Sequence, residues 1–504
     1  MRALLSVWDK TGLVELARGL DELGWELVGA ASTAKALDDA GVPVVPLAEL
    51  TGFPDMLDHR VVTLHPKVHG GILADRGKES HLADLEEHGI AAFDMVVSNL
   101  YPFFDSPGIE TIDIGGPAMT RAAAKNHAWV AIVSSVEQYD GVLAELRERG
   151  ELSAATRRAL ALEAFARTAA YDAAIVEWMQ EDDVLPQHLR LALERVDEPL
   201  RYGENPHQDA ARYRVLGARS WWDGVVQHSG MGLSYLNYYD ADAAWTCVHD
   251  LQFAEGDGRP ACAIIKHANP SGAAVADDLA TAYRLALDAD ELSAFGGIVA
   301  FNRPLDAATA ELMVGGPQAD VVIAPGYAEG TIAALRKKRK NTRVLEAPAP
   351  DVVVRDFRQL SGGFLVQSTP TFVHGRDDWK VVTKRAPGEA AWSDIELAWR
   401  LCGHVKSNCV VLVKDGQAVG IGAGQQSRVA AGEIAAQKAA GRAKDGVSAT
   451  DGFYPFPDGI DAAVAAGVAV VVQPGGSVGD ERVIAAADEA GLAMVFTGER
   501  HFLH

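Results

Sequence analysis

Short apolar runs alternate with amphipathic segments along the first half of the chain. The runs that predict buried strands are residues 3–7, 25–29, 42–45, 95–98 and 130–133. Each is rich in aliphatic residues and too short for a buried helix. The segments whose apolar positions recur at helical spacing are residues 12–23, 33–40, 118–127 and 153–179. This alternation predicts an α/β fold with a parallel sheet covered by helices on both faces.

The second half has a similar mixed pattern and predicts a second α/β region. Its predicted strands are residues 261–265, 297–301, 321–324, 409–414, 419–422, 469–472 and 494–497. An acidic segment with a proline at residues 180–186 precedes the change, so the boundary is predicted between 186 and 200. We therefore expect an N-terminal domain at 1–190 and a C-terminal region at 191–504. The C-terminal region is expected to contain two similar lobes that meet near residues 360–400.

The charge balance narrows the range of ligands. The chain has 504 residues, of which 69 are Asp or Glu and 46 are Lys or Arg, giving a net charge of -23. Such a surface repels nucleic acid and anionic membranes, so neither is an expected partner. The one strong basic block, residues 336–340, is interpreted as a solvated loop or the end of a helix. An anionic small substrate would require local basic sites.

The cysteines and the N-terminal residues indicate the cellular compartment of the protein. The four cysteines contain no Cys-x-x-Cys pair, which argues against a structural zinc site and favours a reduced compartment. The first residues do not form a signal peptide, and no apolar run approaches about 18 residues. We expect a cytoplasmic protein.

Two adjacent basic residues, Lys266 and His267, end the predicted strand at 261–265, and a turn is predicted at 269–272. Cations beside an apolar element are costly unless something negative or reactive lies there. A neighbouring ammonium also favours a neutral imidazole, the form that a general base requires. An isolated Lys-His pair is more often part of a solvated loop, so the interpretation depends on the motifs around it.

Two strand-to-helix turns in the first half could bind an anion. Residues 9–12 and 31–33 each follow a predicted strand and precede a predicted helix. Free N–H groups at a helix N-terminus suit phosphate, and ligands gather at the carboxyl ends of parallel strands. The two turns therefore predict a shared phosphate pocket, although ordinary N-capping explains either turn alone.

A third turn, residues 113–117, leads into a helix that carries Arg121 and Lys125 on one face. Like charges at this spacing are mildly destabilising, and a bound anion would remove the conflict. His65 and His69 have the spacing of metal ligands, but no acidic residue accompanies them. No metal site is predicted there.

Two sets of motifs run through the chain. The first set is residues 6–12, 51–54, 63–73, 99–103 and 112–127. The second set is residues 201–208, 233–235, 240–245, 266–272, 293–300, 405–408, 420–428, 451–456, 474–477 and 500–504. Together they resemble a bifunctional purine-biosynthesis family, in which the first set is similar to the IMP cyclohydrolase half and the second to the AICAR formyltransferase half. The resemblance implies a methylglyoxal-synthase-like N-terminal domain and two cytidine-deaminase-like C-terminal lobes. It also implies a homodimer.

The resemblance implies two successive reactions. In the first, the exocyclic amine of AICAR attacks the formyl group of the cosubstrate 10-formyltetrahydrofolate. This amine is a weak nucleophile, so a base must remove its proton, and His267 is the candidate. Lys266 would keep His267 neutral, stabilise charge on the formyl oxygen or protonate the departing folate nitrogen, and Asn408 would donate to that oxygen.

In the second reaction the carboxamide nitrogen of formyl-AICAR attacks its own formyl carbon, and loss of water gives IMP. Because the reaction is intramolecular, positioning carries much of the work. Lys125, Tyr101 and Asp113 are the candidates for proton transfer. No tightly bound organic cofactor and no catalytic metal are implied, while a bound monovalent cation is compatible with the resemblance.

Further residues are implied as binding residues. Those for formyl-AICAR or IMP are Ser6, Lys10, Ser32, Thr33, Arg60, Thr63 and Asn99. Those for the AICAR nucleotide are Arg201, Tyr202, Gly296, Arg500 and Phe502. Those for the reduced folate are Leu292, Phe295, Val429, Pro455, Phe456 and Ser477.

Two departures from the family pattern concern the cyclohydrolase half. Val62 stands where the family usually has lysine, and residues 29–33 keep only two hydroxyls of a usual phosphate cradle. A hydrocarbon side chain supplies neither charge nor proton. An alternative is therefore a formyltransferase whose cyclohydrolase half is weak or inactive and acts as a nucleotide-binding regulatory module.

Overall fold

The computed structural model describes residues 1–181, 183–196, 200–216, 218, 220–251 and 258–504. The chain divides into two compact units. The first comprises Met1–Glu194 with Val215–Gly217, and the second comprises Arg195–Arg214 with Ala218–His504. In the described part of the chain, no helix is both long and apolar enough to cross a lipid bilayer.

The first unit is built on a five-stranded sheet in which every neighbouring pair is parallel. Its strands, in the spatial order β3-β2-β1-β4-β5, are β1 (Arg2–Leu5), β2 (Glu26–Gly29), β3 (Val45–Pro46), β4 (Met95–Val97) and β5 (Ala131–Val133). Its helices are α1 (Leu13–Glu22), α2 (Ala31–Asp39), α3 (Leu47–Thr51), α4 (Pro66–Leu73), α5 (Glu79–Glu87), α6 (Gly115–Lys125), α7 (Tyr139–Arg149) and α8 (Ala154–Met179). The predicted parallel sheet is confirmed.

Both faces of this sheet are buried. Along β1, Ala3 and Leu5 belong to one apolar cluster and Leu4 to another, and all three are fully buried. Successive side chains of a strand point to opposite faces, so each cluster is the core on one side of the sheet. Continuous apolar runs are what a sheet covered on both faces requires.

The predicted strand at residues 42–45 is displaced. Val42 lies instead just beyond α2, where its N–H donates to Leu37 O at 2.9 Å. Gly41 N donates to Asp38 O at 2.9 Å, and Gly41 has a positive φ of 72°. These bonds form a Schellman motif, in which the residue after the glycine packs its apolar side chain back on the helix. The strand begins only at Val45.

The second unit is built on a mixed sheet of twelve strands. Its spatial order is β16-β21-β20-β19-β17-β18-β10-β9-β11-β12-β13-β8. The strands are β8 (Val226–Ser229), β9 (Ala261–Lys266), β10 (Asn269–Val275), β11 (Ile298–Phe301), β12 (Val321–Ala324), β13 (Arg343–Glu346), β16 (Lys380–Val381), β17 (Val410–Lys414), β18 (Gln417–Gly422), β19 (Val447–Thr450), β20 (Val470–Gln473) and β21 (Ala493–Phe496). The two halves of this sheet meet where β10 pairs antiparallel with β18.

Helices cover both halves of the large sheet, and four further strands lie outside it. The helices are α9 (Tyr235–Asp250), α10 (Leu279–Ala289), α11 (Glu291–Ala294), α12 (Ala307–Gly315), α13 (Thr331–Lys338), α14 (Trp392–Gly403), α15 (Arg428–Ala439), α16 (Asp458–Ala466) and α17 (Asp480–Glu489). The further strands form two-stranded sheets, one of β6 (Leu193–Arg195) with β7 (Tyr213–Val215) and one of β14 (Arg355–Leu360) with β15 (Gly363–Ser368). The basic run at 336–340 begins in the last turn of α13, where positive charges interact favourably with the negative end of the helix dipole. The interpretation of this run as the end of a helix is confirmed.

The turn predicted at residues 269–272 is wrong. The chain turns two residues earlier, at His267 and Ala268, which both have φ of 54°. Residues 269–275 return as β10, antiparallel to β9. The register shifts between Pro270 and Gly272, and such a bulge accommodates a proline that cannot donate to the ladder.

Candidate active sites

A cleft of about 610 Å³ opens in the first unit at the carboxyl ends of its parallel strands. Ser6 follows β1, Ala30 follows β2 and Asn99 lies two residues after β4, and all three line the cleft. Ligands of open α/β sheets bind at this edge. The residues implied by resemblance that line it are Ser6, Ser32, Thr33, Arg60, Thr63, Asn99, Tyr101 and Asp113.

The N-terminus of α2 faces the cleft. Ala31 and Ser32 line it, and no side chain caps the helix. Uncapped N–H groups and the helix dipole together attract an anion. The Thr33 hydroxyl is already engaged, because it accepts from Val7 N at 3.1 Å and donates to Val7 O at 3.2 Å. Thr33 therefore fastens the helix to the end of β1, and the exposed Ser32 is the hydroxyl available to a ligand.

Asn99 holds residues 9–12, the other turn that was predicted to bind an anion. The Asn99 Oδ1 accepts from the N–H groups of Trp8 at 2.6 Å and Asp9 at 2.9 Å. Its Nδ2 donates to Asp9 O at 2.8 Å. Lys10 is exposed, and among the described residues it is not one of those that line the cleft. Asn99 thus shapes the cleft by holding this turn.

Asp113 and Tyr101 place two titratable groups in the cleft. Burial raises the pKa of Asp113, although its carboxylate accepts N–H bonds that include one from Gly116 at 2.8 Å. Burial also raises the pKa of Tyr101, and the charge of Asp113 adds to this effect. Tyr171 holds the loop, because its hydroxyl accepts from Asp113 N at 2.9 Å and donates to Thr111 O at 2.6 Å. A carboxyl group with a raised pKa is suited to proton transfer.

Another part of the lining combines a charged pair with an apolar side chain. The Arg60 guanidinium forms an ion pair with Glu110, and both residues line the cleft. Val62 lines it as well and packs against an apolar core cluster of the unit. Position 62 therefore presents hydrocarbon to a ligand.

Lys125 is the predicted catalytic residue that the structure does not bring to the cleft. It ends α6, while Gly115, which begins this helix, lines the cleft. A rise of 1.5 Å per residue separates the two by about 15 Å. Lys125 is exposed and is not among the described residues that line the cleft.

In the second unit, Lys266 ends β9 beside Phe295 and Gly296. Its Nζ donates to Phe295 O at 2.9 Å. Gly296 has φ of 70°, and a Cβ there would lie 3.1 Å from Lys266 Nζ. The glycine therefore permits both the turn and the approach of the lysine. The structure brings these three predicted residues together.

His267 is presented by a turn in an unusual conformation. Both His267 and Ala268 are left-handed, a conformation that residues other than glycine rarely adopt. Asp240, from α9, is 8% exposed and accepts from Ala268 N at 2.8 Å. Burial raises the pKa of Asp240, while the N–H groups of Ala268 and His267 act in the opposite direction. The imidazole itself is exposed.

Asn408 lies in a network around a nearly buried guanidinium. The Arg428 Nη2 donates to Asn408 Oδ1 at 2.8 Å and forms an ion pair with Asp451 at 3.0 Å. The Asn408 Nδ2 donates to Gln425 O at 3.0 Å and approaches Gln426 O only at 3.5 Å. The amide is thus fixed through its oxygen and one N–H, and its second N–H is weakly engaged.

The C-terminal segment and the hairpin turn both border this network. Lys406 N donates to Asn269 Oδ1 at 3.0 Å, which links the loop before β17 to the turn that carries His267. Ser407 N donates to Leu503 O at 2.8 Å. The Arg500 guanidinium lies 4.3 Å from the centre of the Phe502 ring. His267, Asn408 and the C-terminal residues are therefore neighbours in one region.

Arg201 and Tyr202 form a pair of their own. The Arg201 guanidinium lies 4.8 Å from the centre of the Tyr202 ring and donates to the phenol oxygen at 3.1 Å. Arg343, only 7% exposed, begins β13. Burial lowers the pKa of Arg343, and the charge of Arg201 lowers it further while that of Asp320 raises it. These opposed effects indicate that two guanidinium groups and a carboxylate share one environment.

The residues predicted to bind folate belong to two surfaces of the second unit. Leu292 and Phe295, near α11, are 91% and 64% exposed. Pro455 and Ser477 meet at Gly479, where a Cβ would lie 2.6 Å from Pro455 O and 3.4 Å from Ser477 Oγ. The remaining predicted residues are Phe456, which is exposed, and Val429, which is half-buried on α15.

Several site residues were missing from the sequence prediction. Arg428 and Asp451 lie in the motifs at residues 420–428 and 451–456, but the sequence pattern indicated no role for either. Arg343 begins an apolar strand, and only the structure reveals that it is buried. Asp58 and His59 line the cleft and carried no pattern signal. In the described ranges, no group of three or more His, Cys, Asp or Glu is arranged to hold a metal ion.

Comparison with known proteins identifies the family. A family model described as AICARFT/IMPCHase bienzyme matches residues 123–438, and one described as MGS-like domain matches residues 12–126. The chain belongs to the AICARFT/IMPCHase bienzyme family. The family resemblance and the α/β fold predicted from the sequence are thus confirmed, whereas the assignments of individual site residues remain predictions.

Curated relatives of this bienzyme family match along the whole chain. The bifunctional purine biosynthesis protein PurH of Dinoroseobacter shibae is 51% identical over 527 residues, covering 100% of this chain and 98% of that protein. That of Roseobacter denitrificans is 50% identical over 531 residues with the same coverage. A solved structure titled "Crystal structure of ForH" is 42% identical, covers 36% of this chain and 96% of its own, and has a TM-score of 0.33.

Proposed function

We infer that this chain catalyses the last two steps of IMP synthesis: formyl transfer from 10-formyltetrahydrofolate to AICAR, then dehydrative closure of formyl-AICAR to IMP. The observation that carries this inference is about 50% identity, along the full length, to proteins named as bifunctional in purine biosynthesis. Each unit also holds a separate constellation of polar groups suited to one of the steps.

The second unit supports formyl transfer. His267 takes the proton of the AICAR amine as that nitrogen attacks the formyl carbon. Lys266, which precedes the base in the chain and donates from Nζ to Phe295 O at 2.9 Å, stabilises negative charge on the formyl oxygen or protonates the departing folate nitrogen. Asn408 offers its weakly engaged N–H to the same oxygen. Arg201, Tyr202, Gly296, Arg500 and Phe502 bind the nucleotide.

The cleft of the first unit supports ring closure. The N-terminus of α2 with Ser32 holds the phosphate of formyl-AICAR, and Arg60 and Thr63 lie on the lining where the rest of the nucleotide would bind. Tyr101 and Asp113 supply groups able to exchange protons. Holding the carboxamide against the formyl group lowers the barrier, because both reacting atoms belong to one molecule.

A chain with an inactive cyclohydrolase half is not favoured. The relatives that match at about 50% identity are named as bifunctional, and the first unit retains a polar cleft lined by eight of the ten predicted residues. Val62 changes the lining of this cleft without filling it.

The deciding experiment is the conversion of prepared formyl-AICAR to IMP by the purified chain without folate, followed by absorbance. Formyl transfer is measured in the same preparation with AICAR and 10-formyltetrahydrofolate. Both rates are expected to exceed the uncatalysed rates clearly. Formyl transfer without accelerated closure would refute the second activity and support a first unit that only binds nucleotides.

The assembly we propose is a homodimer. On the second unit, β14 and β15 form a hairpin with Leu360, Phe364 and Leu365 each about half exposed or more. An apolar patch of this kind is typical of a protein interface. Light scattering is expected to give a dimeric mass, and a fully active monomer would contradict the proposal.

The cosubstrate and location follow the same inference. We propose 10-formyltetrahydrofolate as the formyl donor, with no tightly bound organic cofactor, and a site compatible with a monovalent cation. We also propose a cytoplasmic location, because the four cysteines are buried and free, as expected in a reduced compartment.

A further inference from the structure

A segment with unusual backbone geometry borders the cleft of the first unit. Leu57, Asp58 and His59 have φ values of 54°, 52° and 70°, so three successive residues with side chains are left-handed. Such conformations are strained, and they persist at functional sites where other contacts support them. Asp58 and His59 line the cleft, whereas Leu57 is 70% exposed and is not among its described lining residues.

The imidazole of His59 is oriented by a carboxylate. Its Nδ1 lies 3.0 Å from Asp55 Oδ2. With Nδ1 as the donor in this bond, Nε2 keeps a lone pair and can accept a proton. A histidine held through one ring nitrogen by a carboxylate, with the other nitrogen directed to a reacting group, is a common arrangement for a general base.

Asp113 is one carboxyl of the cleft suited to proton transfer, and the other groups leave room for a second proton-transfer residue. Val62 has no proton to exchange, and Lys125 lies at the far end of α6. Arg60 is paired with Glu110. Burial raises the pKa of Tyr101, which makes its phenolate less accessible. Imidazole is the side chain that most readily gains and loses a proton near neutral pH.

We propose that His59 is a further proton-transfer residue of the ring-closure step, in addition to Asp113. As the carboxamide nitrogen of formyl-AICAR bonds to the formyl carbon, His59 accepts one of the two N–H protons and returns it to the former formyl oxygen. The resulting hydroxyl group then leaves as water with the proton of the formamido nitrogen, and the carbon–nitrogen double bond of IMP forms. His59 ends neutral, so protons and electrons balance. The proposal rests on the inferred cyclohydrolase activity.

The test is His59→Gly, because glycine removes the imidazole and also relieves the positive φ. The rate constant for closure of formyl-AICAR is expected to fall at least tenfold, while formyl transfer, catalysed in the other unit, is unchanged. Thermal stability is expected to stay the same or rise. If His59 had only a structural role, His59→Gly would keep or gain stability and its closure rate would be unchanged. That result would overturn the proposal.

Leu57→Gly is the matched control. It relieves a positive φ in the same segment without removing a titratable group, so its closure rate is expected to match that of the parent. An equal loss in both variants would assign the effect to loop flexibility and refute the role of His59. Added imidazole is expected to restore part of the activity of His59→Gly alone.

The pH profile of closure gives a second readout. Activity that declines toward acid is the behaviour of a histidine base, so this acid limb is expected in the parent and should disappear in His59→Gly. The charged group in direct contact with His59 is Asp55, and Asp58, Arg60 and Glu110 line the same cleft. An unaltered acid limb in the variant would contradict the proposal. Absence of closure by the parent protein would instead refute the cyclohydrolase activity itself.

Discussion

Removal of the Asp240 carboxylate should disable formyl transfer without touching the reacting atoms. Asp240 is 8% exposed and accepts from Ala268 N at 2.8 Å, next to His267. In Asp240→Ala this buried N–H loses its acceptor, which costs about 1–3 kcal/mol. The left-handed conformations of His267 and Ala268 are unfavourable for residues with a Cβ, so the turn is expected to relax when that acceptor is lost.

The expected loss can be estimated from the position of the imidazole. A misplacement of about 1 Å at a reacting group costs on the order of a hundredfold in rate. We therefore expect the kcat of formyl transfer to fall by roughly two orders of magnitude in Asp240→Ala, with a smaller change in the KM for AICAR. Asp240→Asn retains an oxygen acceptor and should lose about tenfold or less. Ring closure, catalysed in the first unit, is expected to be unchanged.

The control is Asp242→Ala on the same helix. Asp242 accepts from Trp222 Nε1 at 3.1 Å and makes no contact with the His267 turn among those described. The hydrogen bond of Asp242 is exposed, so water can replace the acceptor lost in Asp242→Ala, and only Asp240→Ala should lose stability together with the transferase rate. Near-normal kcat in Asp240→Ala, or an equal loss in Asp242→Ala, would refute the argument that Asp240 positions His267.

Three further predictions concern single side chains. His267→Ala should abolish formyl transfer while calorimetry shows AICAR binding largely intact, and near-normal transfer would remove His267 as the base. Asp113→Asn should slow closure yet stabilise the unit at pH 7. Burial raises the pKa of the Asp113 carboxyl above 3.8, so the folded state is favoured while this group is protonated. That stability is present below pH 3.8 and is lost as the pH rises through the raised pKa of the folded state. An unfolding temperature of Asp113→Asn at pH 7 that is equal to or below that of the parent would contradict this prediction. Val62→Lys should raise the rate of IMP formation several-fold by adding a cation to the cleft lining, and no change would mean that position 62 does not limit closure.

The sequence by itself determined the α/β class, the parallel sheet of the first half and the family. Apolar runs and helical periodicity are local properties, and burial on both sheet faces requires them wherever the strand lies. Lys266 and His267 were also evident, because two basic residues at the end of an apolar run are unusual. Local propensity misplaced the turn after them: Pro and Gly at 270 and 272 occupy a strand bulge, since pairing with β9 outweighs their preference for a turn.

Only the tertiary structure decided which side chains are available for chemistry. Thr33 has the hydroxyl expected for a phosphate site, but it is used by Val7, 26 residues away. Lys125 was expected in the cleft, but the length of α6 carries it away. The contact between Asp240 and the turn at His267 spans 28 residues of sequence. Such contacts depend on how distant segments pack, and no local pattern in the sequence records them. The sequence could therefore indicate the reactions, but not which residues position the catalytic groups.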